Sequence, residues 1–227
     1  MSQESTQVRA TQSEALRQTG TFTDRAKRQW HAIRQKIVSL VQGGIDALLF
    51  AVDRGAETDG EEARRKRVQE ALREHFGESP AELLLQTPPE EREVLVAQFH
   101  TVIAQGLGIE ASTVGSADLA NNSGLYSWEY DLFLINADEL LKQPLTLTEA
   151  KELLDTILHE TYHSFQRKAT VRPSRYGVQK SEAQTWRINF KDKNYIKPEQ
   201  NPERYWTQPV EVTARIFAAQ VLKGIYA

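Results

Sequence analysis

The feature that most constrains this chain is a pair of histidines four residues apart, His159 and His163, with Glu160 directly after the first. Residues i and i+4 of a helix stand one above the other on a single face, so both imidazoles can reach one metal ion. Glu160 is turned about 100° away from His159 by the helix pitch, outside that ligand set. It can instead reach a water bound to the metal, where a general base is needed. The spacing thus calls for a helix, a metal ion and a further ligand from elsewhere in the chain.

The surroundings predict that helix. Thr146-Leu147-Thr148-Glu149 reads as a capping box, with Thr146 as N-cap and Glu149 at the third helical position. Ala150, Leu153, Leu154, Ile157, Leu158, Tyr162 and Phe165 then recur at helical spacing, so a helix from about 147 to 167 carries the pair. The other histidines, His31, His75 and His100, are isolated and read as surface or satisfied core residues.

Residues 1–22 are polar and aperiodic and are expected to be a disordered tail. An amphipathic pattern from Asp24 to Asp53, broken or bent at Gly43-Gly44, makes 23–60 an N-terminal helical segment. The remaining 61–227 reads as the main domain. Its predicted helices span 61–76, 80–85, 89–106, 138–143, 181–192 and 208–224, besides the metal helix. Val94, Leu95, Ala97, Val102 and Ile103 mark the expected apolar side of the third of these. After the turn signal Asn121-Asn122-Ser123-Gly124, the run from Leu125 to Asn136 is rich in aromatic and β-branched residues. A hairpin-like pair of strands is expected at 112–119 and 125–136. The fold class is therefore α+β and mostly helical, with a small β-hairpin or sheet before the metal helix.

A net charge of −3 argues against nucleic acid as the main partner. The basic run Arg64-Arg65-Lys66-Arg67 is flanked by Glu61, Glu62 and Glu70 and reads as a solvated helix face. The chain has no cysteine, which removes thiol nucleophiles and cysteine zinc clusters. That composition fits the cytoplasm and equally fits a protein delivered across compartments. The first twenty residues are too polar for a secretory signal. The apolar stretch Ile37 to Val52 is interrupted and shorter than the ~20 residues a membrane span needs, so no stable span is expected. Met1 is the one methionine, which fits a domain excised from a longer protein.

A catalytic zinc usually has three protein ligands and one open position. Ala169, six residues past His163, excludes a third histidine there, and no histidine lies downstream. The third ligand is then a carboxylate among Glu182, Asp192, Glu199, Glu203 and Glu211. Glu199 and Glu203 fall in a proline-rich polar loop and are poorly held.

Glu211-Val212-Thr213-Ala214-Arg215-Ile216-Phe217-Ala218 fits the pattern E-x-x-A-x-x-F-A. This resembles the phage-repressor-cleaving metallopeptidases of the ImmA/IrrE-like group, in which that pattern supplies the third zinc ligand. The chain is more similar to zincin domains of bacterial polymorphic toxins and phage-associated proteins. That likeness rests on the strand Gly124-Leu125-Tyr126 to Ile135-Asn136, on Phe165-Gln166 after the metal helix, and on Tyr205-Trp206-Thr207-Gln208-Pro209-Val210-Glu211. It covers roughly residues 70–227. The gap of 48 positions from His163 to Glu211 is longer than in the repressor-cleaving group.

The resemblance implies a zincin-like metallopeptidase, a hydrolase of the toxin or effector kind. His159, His163 and Glu211 would hold Zn2+ (Glu182 being the second choice for the third ligand), and Glu160 would be the catalytic base. It further implies a protein or peptide substrate paired along the strand 125–136 as an exposed edge. Tyr176, Tyr205, Arg172 and Arg175 are the candidate oxyanion donors. Two competing classes share these residues: a zincin-like binding module, and a zinc amidase acting on a non-peptide amide. Residues 1–60 read either as a delivery, immunity-partner or autoinhibitory segment, or as a supporting helical subdomain.

Overall fold

A computed structural model describes residues 59–191 and 193–227. The expectations for residues 1–58, and the candidate ligand Asp192, lie outside that range. Among the described residues the chain is mostly helical with one three-stranded sheet, an α+β arrangement.

Helices α1 (Asp59–Phe76), α2 (Pro80–Gln86) and α3 (Pro89–Leu107) precede the sheet. Pro80 and Pro89 open α2 and α3, where a missing N–H costs nothing. α1 lies against α3 because Gly106 has no side chain: a Cβ there would sit 2.8 Å from Val68 Cγ2 and 2.9 Å from Val68 Cα. The buried face of α3 runs through Leu95, Val96, Phe99, Val102 and Ile103. Val94, expected on that face, is 62 % exposed. It lies about 100° round the helix from Leu95, outside the stripe that the i, i+4 spacing of Leu95, Phe99 and Ile103 defines.

The basic run on α1 is only partly a solvated face. Lys66 and Arg67 are exposed, and Lys66 pairs with Glu62 at 2.6 Å. Arg64, however, is buried, with its guanidinium 5.0 Å from the centre of the Phe165 ring. Its Nη1 donates to the carbonyls of Tyr176 and Gly177 at 3.2 and 3.3 Å. A cation over an aromatic face with carbonyl acceptors at its edge is stable inside a protein.

The sheet orders its strands β1 (Thr113–Ala117), β3 (Leu132–Asn136) and β2 (Gly124–Ser127). β1 runs parallel to β3, with Val114 opposite Phe133. β2 runs antiparallel to β3, with Tyr126 opposite Phe133. The hairpin therefore lies inside the aromatic run, and does not join 112–119 to 125–136 as the sequence predicts. The turn is made at Asp131, whose φ of 47° is a conformation that aspartate tolerates better than most residues. Every residue of β3 is buried. It is the central strand, and among the described residues β2 is the edge strand that packs on the helix carrying His159 and His163. Asn136 ties the crossover down: its Nδ2 donates to the carbonyls of Ala120 and Asn122, and its Oδ1 caps α4 (Ala137–Leu140) at Asp138 N–H.

α4 ends three residues earlier than the predicted 143. Buried Arg92 accounts for this, because its Nη1 donates to the carbonyls of Leu140 and Lys142 at 2.7 and 2.8 Å and so satisfies the frayed end. α5 (Leu147–Val171) follows, four residues longer at its end than expected. The capping box is present: Glu149 N–H donates to Thr146 Oγ1, and Thr146 N–H donates to Glu149 Oε2 at 2.8 Å. Such a cap contributes about 1 kcal/mol.

α5 is the central element, packed by α2, α3, α6 (Lys180–Asn189), α8 (Pro209–Ile225) and β2. Ala150, Leu153, Leu154, Ile157, Leu158, Tyr162 and Phe165 are all buried. Tyr162 stacks on Phe217 of α8 with ring centres 4.3 Å apart. Burying each large side chain of this set is worth about 1.5–3 kcal/mol, well beyond the helix propensity of the segment. Between α6 and α8 lies a loop with one short helix, α7 (Pro202–Trp206). No described helix is long and apolar enough to cross a membrane.

His100 of α3 is a satisfied core histidine. Its Nε2 accepts from Ser112 N–H at 3.0 Å, and its Nδ1 donates to Thr161 Oγ1 at 2.8 Å. Burial pulls its pKa down to about 4. It joins α3, the start of β1 and α5 in one core. His75 is exposed on α1.

Candidate metal centre

α5 and the first turn of α8 cross so that three ligand-bearing side chains meet. His159 Nε2 and His163 Nε2 lie 2.9 Å apart. Glu211 places Oε2 3.3 Å from His159 Nε2 and Oε1 3.4 Å from His163 Nε2. Among the described residues, these three form a group whose ligand atoms all lie within 4.8 Å of one another.

The donor set fits a zinc-sized cation. Bonds of ~2.0–2.1 Å to a tetrahedral ion put neighbouring ligand atoms roughly 3.3–3.4 Å apart, close to the observed edges. The two imidazole nitrogens, 2.9 Å apart, can share one proton between them, and a cation would take its place by accepting a lone pair from each. Glu211 is fully buried, and its Oε2 has no hydrogen-bond partner. A buried carboxylate oxygen without a hydrogen bond is costly. Arg215 lies 3.7 Å from that oxygen but also covers the face of Trp206, 4.2 Å from its ring centre.

Charge in this group is strongly coupled. Burial disfavours the ionised form of Glu211, but His163 and His159 outweigh it and hold the carboxyl well below its ordinary range. Burial likewise resists charge on His163, and the facing carboxylate prevails, pushing it up to about 9.

Glu160 is buried beside β2, where the charges of His159, His163 and Glu211 all act on it. Burial raises its pKa, and the neighbouring imidazoles hold the rise back. The approach of β2 depends on Gly124: a Cβ there would lie 2.7 Å from Thr156 Cγ2 and 2.9 Å from Glu160 Cγ. That contact sets the Glu160 side chain against the backbone of β2. The hairpin is anchored from its far side, where Asp131 Oδ1 accepts from Ser112 Oγ and from the Tyr126 hydroxyl at 2.7 and 2.8 Å.

Two tyrosines border Glu211. The Tyr195 hydroxyl donates to Glu211 Oε1 at 2.9 Å. Burial and the charge of Glu211 raise the pKa of Tyr195 and of Tyr205, so both remain protonated donors. Tyr195 has no sequence signal. It sits in an aperiodic loop, pinned because Gln208 accepts from Ile196 N–H and donates to Ile196 O, both at 2.8 Å. The ring of Trp128, from the β2–β3 turn, meets Tyr195 edge-on at 5.5 Å between centres.

The other candidate residues fall elsewhere. Glu182 stands by Glu61 and Arg64, whose charges act on it after burial, and is not part of the group of ligands. Glu199 and Glu203 are exposed. Arg172, Arg175 and Tyr176 lie past the end of α5, and Tyr176 packs on Phe165 rather than on the histidines. Of the four oxyanion candidates, only Tyr205 borders the site.

No protein-family model, no curated protein and no solved structure matches this chain.

Proposed function

We propose that the chain is a zinc-dependent metallopeptidase of zincin-like build that hydrolyses a peptide bond. The observation that carries the reading is the meeting of His159 Nε2, His163 Nε2 and the buried Glu211 carboxylate, with Glu160 one residue from the first ligand. These three residues would hold Zn2+, which when bound polarises a carbonyl and lowers the pKa of water toward ~7.

The chain's own groups do the rest. Glu160, made more basic than an ordinary carboxylate by burial, takes the proton from the attacking water at its carboxylate oxygen. It then returns that proton to the departing nitrogen. The close approach of β2 at Gly124 restricts where that carboxylate can turn. Among the described residues β2 is an edge strand with no strand on its outer side, where an extended peptide could pair, which supports a peptide substrate over a compact amide. Tyr205, kept protonated by burial and the charge of Glu211, is the candidate donor for a developing oxyanion, since the Tyr195 hydroxyl already donates to Glu211.

The test is cleavage of an unfolded protein by zinc-loaded wild type and Glu160→Gln, with products read by mass spectrometry. We expect the variant to keep its zinc and to lose at least about a hundredfold in rate. Equal cleavage by both proteins would remove Glu160 as the base.

A further inference from the structure

Gln166 stands one turn beyond His163 on α5 and is fully buried. Its Nε2 lies 3.0 Å from the Val210 carbonyl and 2.6 Å from Thr213 Oγ1. Its Oε1 lies 2.7 Å from His163 Nδ1. The directions of these bonds follow from their far ends. A main-chain carbonyl only accepts, so the nitrogen of the amide must face Val210. Thr213 Oγ1 donates to the Pro209 carbonyl at 2.9 Å, which leaves its lone pairs for Gln166 Nε2. The amide oxygen is thereby turned toward the imidazole, and it too can only accept. His163 Nδ1 must then carry the proton, and in the neutral ring the lone pair is left on Nε2. That is the atom facing His159 and Glu211.

We propose that Gln166 is a positioning residue that sets the tautomer and ring rotation of His163 for metal binding. This rests on the metal-centre reading above and deepens it. Val210 and Thr213 flank Glu211 in the first turns of α8, so the segment that delivers the carboxylate ligand also orients the histidine ligand on α5. Docking of α8 on α5 prepares two of the three donors together. Orienting partners of this kind affect metal affinity about 10–100-fold.

A residue that merely tied the two helices together would share most of these contacts, so the test separates the two ends of the amide. Zinc affinity is measured by competition with a chromophoric chelator for wild type, Gln166→Leu and Gln166→Glu. Leucine removes both ends. Glutamate keeps an acceptor for His163 Nδ1 but loses both donors to α8. We expect the leucine variant to bind zinc about 10–100-fold more weakly and the glutamate variant to recover most of that loss. In parallel, imidazole 15N spectra of the zinc-loaded wild type are expected to show His163 protonated at Nδ1 and metal-bound through Nε2. That readout does not depend on how either variant folds. Binding through Nδ1, wild-type affinity in the leucine variant, or a glutamate variant as weak as leucine would each overturn the inference. Failure of the wild type to bind zinc at all would instead sink the metal centre on which it rests.

Discussion

His163 Nε2 lies 3.4 Å from Glu211 Oε1, although 48 positions of sequence separate the two residues. On the proposed reading, this pair sets how the site would take up a cation. The carboxylate pushes His163 up to about 9, so near neutral pH the metal-free ring is protonated. In that state the pair stabilises the fold fully below pH 6.5 and loses its contribution as pH rises through about 9.

A metal ion arriving at Nε2 must therefore displace a proton. Calorimetric zinc titrations near pH 7.5, in two buffers of unlike ionisation enthalpy, are expected to differ by the heat of about one proton. Apparent affinity should climb as the pH approaches 9. Equal heats in both buffers would show that the ring is already neutral.

Gly124→Ala is expected to damage turnover while sparing metal binding. The new Cβ would sit 2.7 Å from Thr156 Cγ2 and 2.9 Å from Glu160 Cγ, so either β2 moves outward or Glu160 is displaced. Overpacking of this sort costs about 1–3 kcal/mol of stability. Zinc content and cleavage rate measured side by side check this: content unchanged, rate down about tenfold or more. A variant as active as wild type would show that the close approach of β2 to Glu160 has no part in catalysis.

These residues also show where sequence reading succeeds and where it stops. α5 is legible because its signals are local. Thr146 and Glu149 are three residues apart, and the buried positions recur every three or four. The three-stranded sheet is less so. Leu132–Asn136 is buried on both faces and shows no alternation, and the turn before it uses Asp131 in place of a glycine, so one run hides two strands. Arg64 reads as solvated within its run of charges, because the groups that hold it inside belong to Phe165, Tyr176 and Gly177. Glu211 could be nominated from its pattern. Tyr195 could not, since its position depends on the Gln208 side chain bonding a backbone segment twelve residues earlier.

His100 makes the fold sensitive to acid independently of His159, His163 and Glu211. Burial lowers its pKa from 6.5 to about 4, so the unfolded chain takes up a proton that the folded chain refuses. Its contribution is intact above pH 6.5 and is lost as pH falls toward 4, a loss of about 3 kcal/mol. Urea unfolding of the metal-free protein near pH 7 and near pH 4.5 measures this. His100→Gln can still accept from Ser112 N–H and donate to Thr161, and it should lose about 2–3 kcal/mol less than wild type between those conditions. The same fall in both proteins would place the acid sensitivity elsewhere.

The most direct measurement is bound zinc per chain in purified wild type, Glu211→Ala and Glu182→Ala after dialysis against trace zinc. Glu211 is buried against both histidines, whereas Glu182 stands with Glu61 and Arg64. The account predicts about one zinc in wild type and in Glu182→Ala, and a loss of affinity of at least about a hundredfold in Glu211→Ala. Wild type without zinc, or zinc retained undiminished in Glu211→Ala, would contradict it.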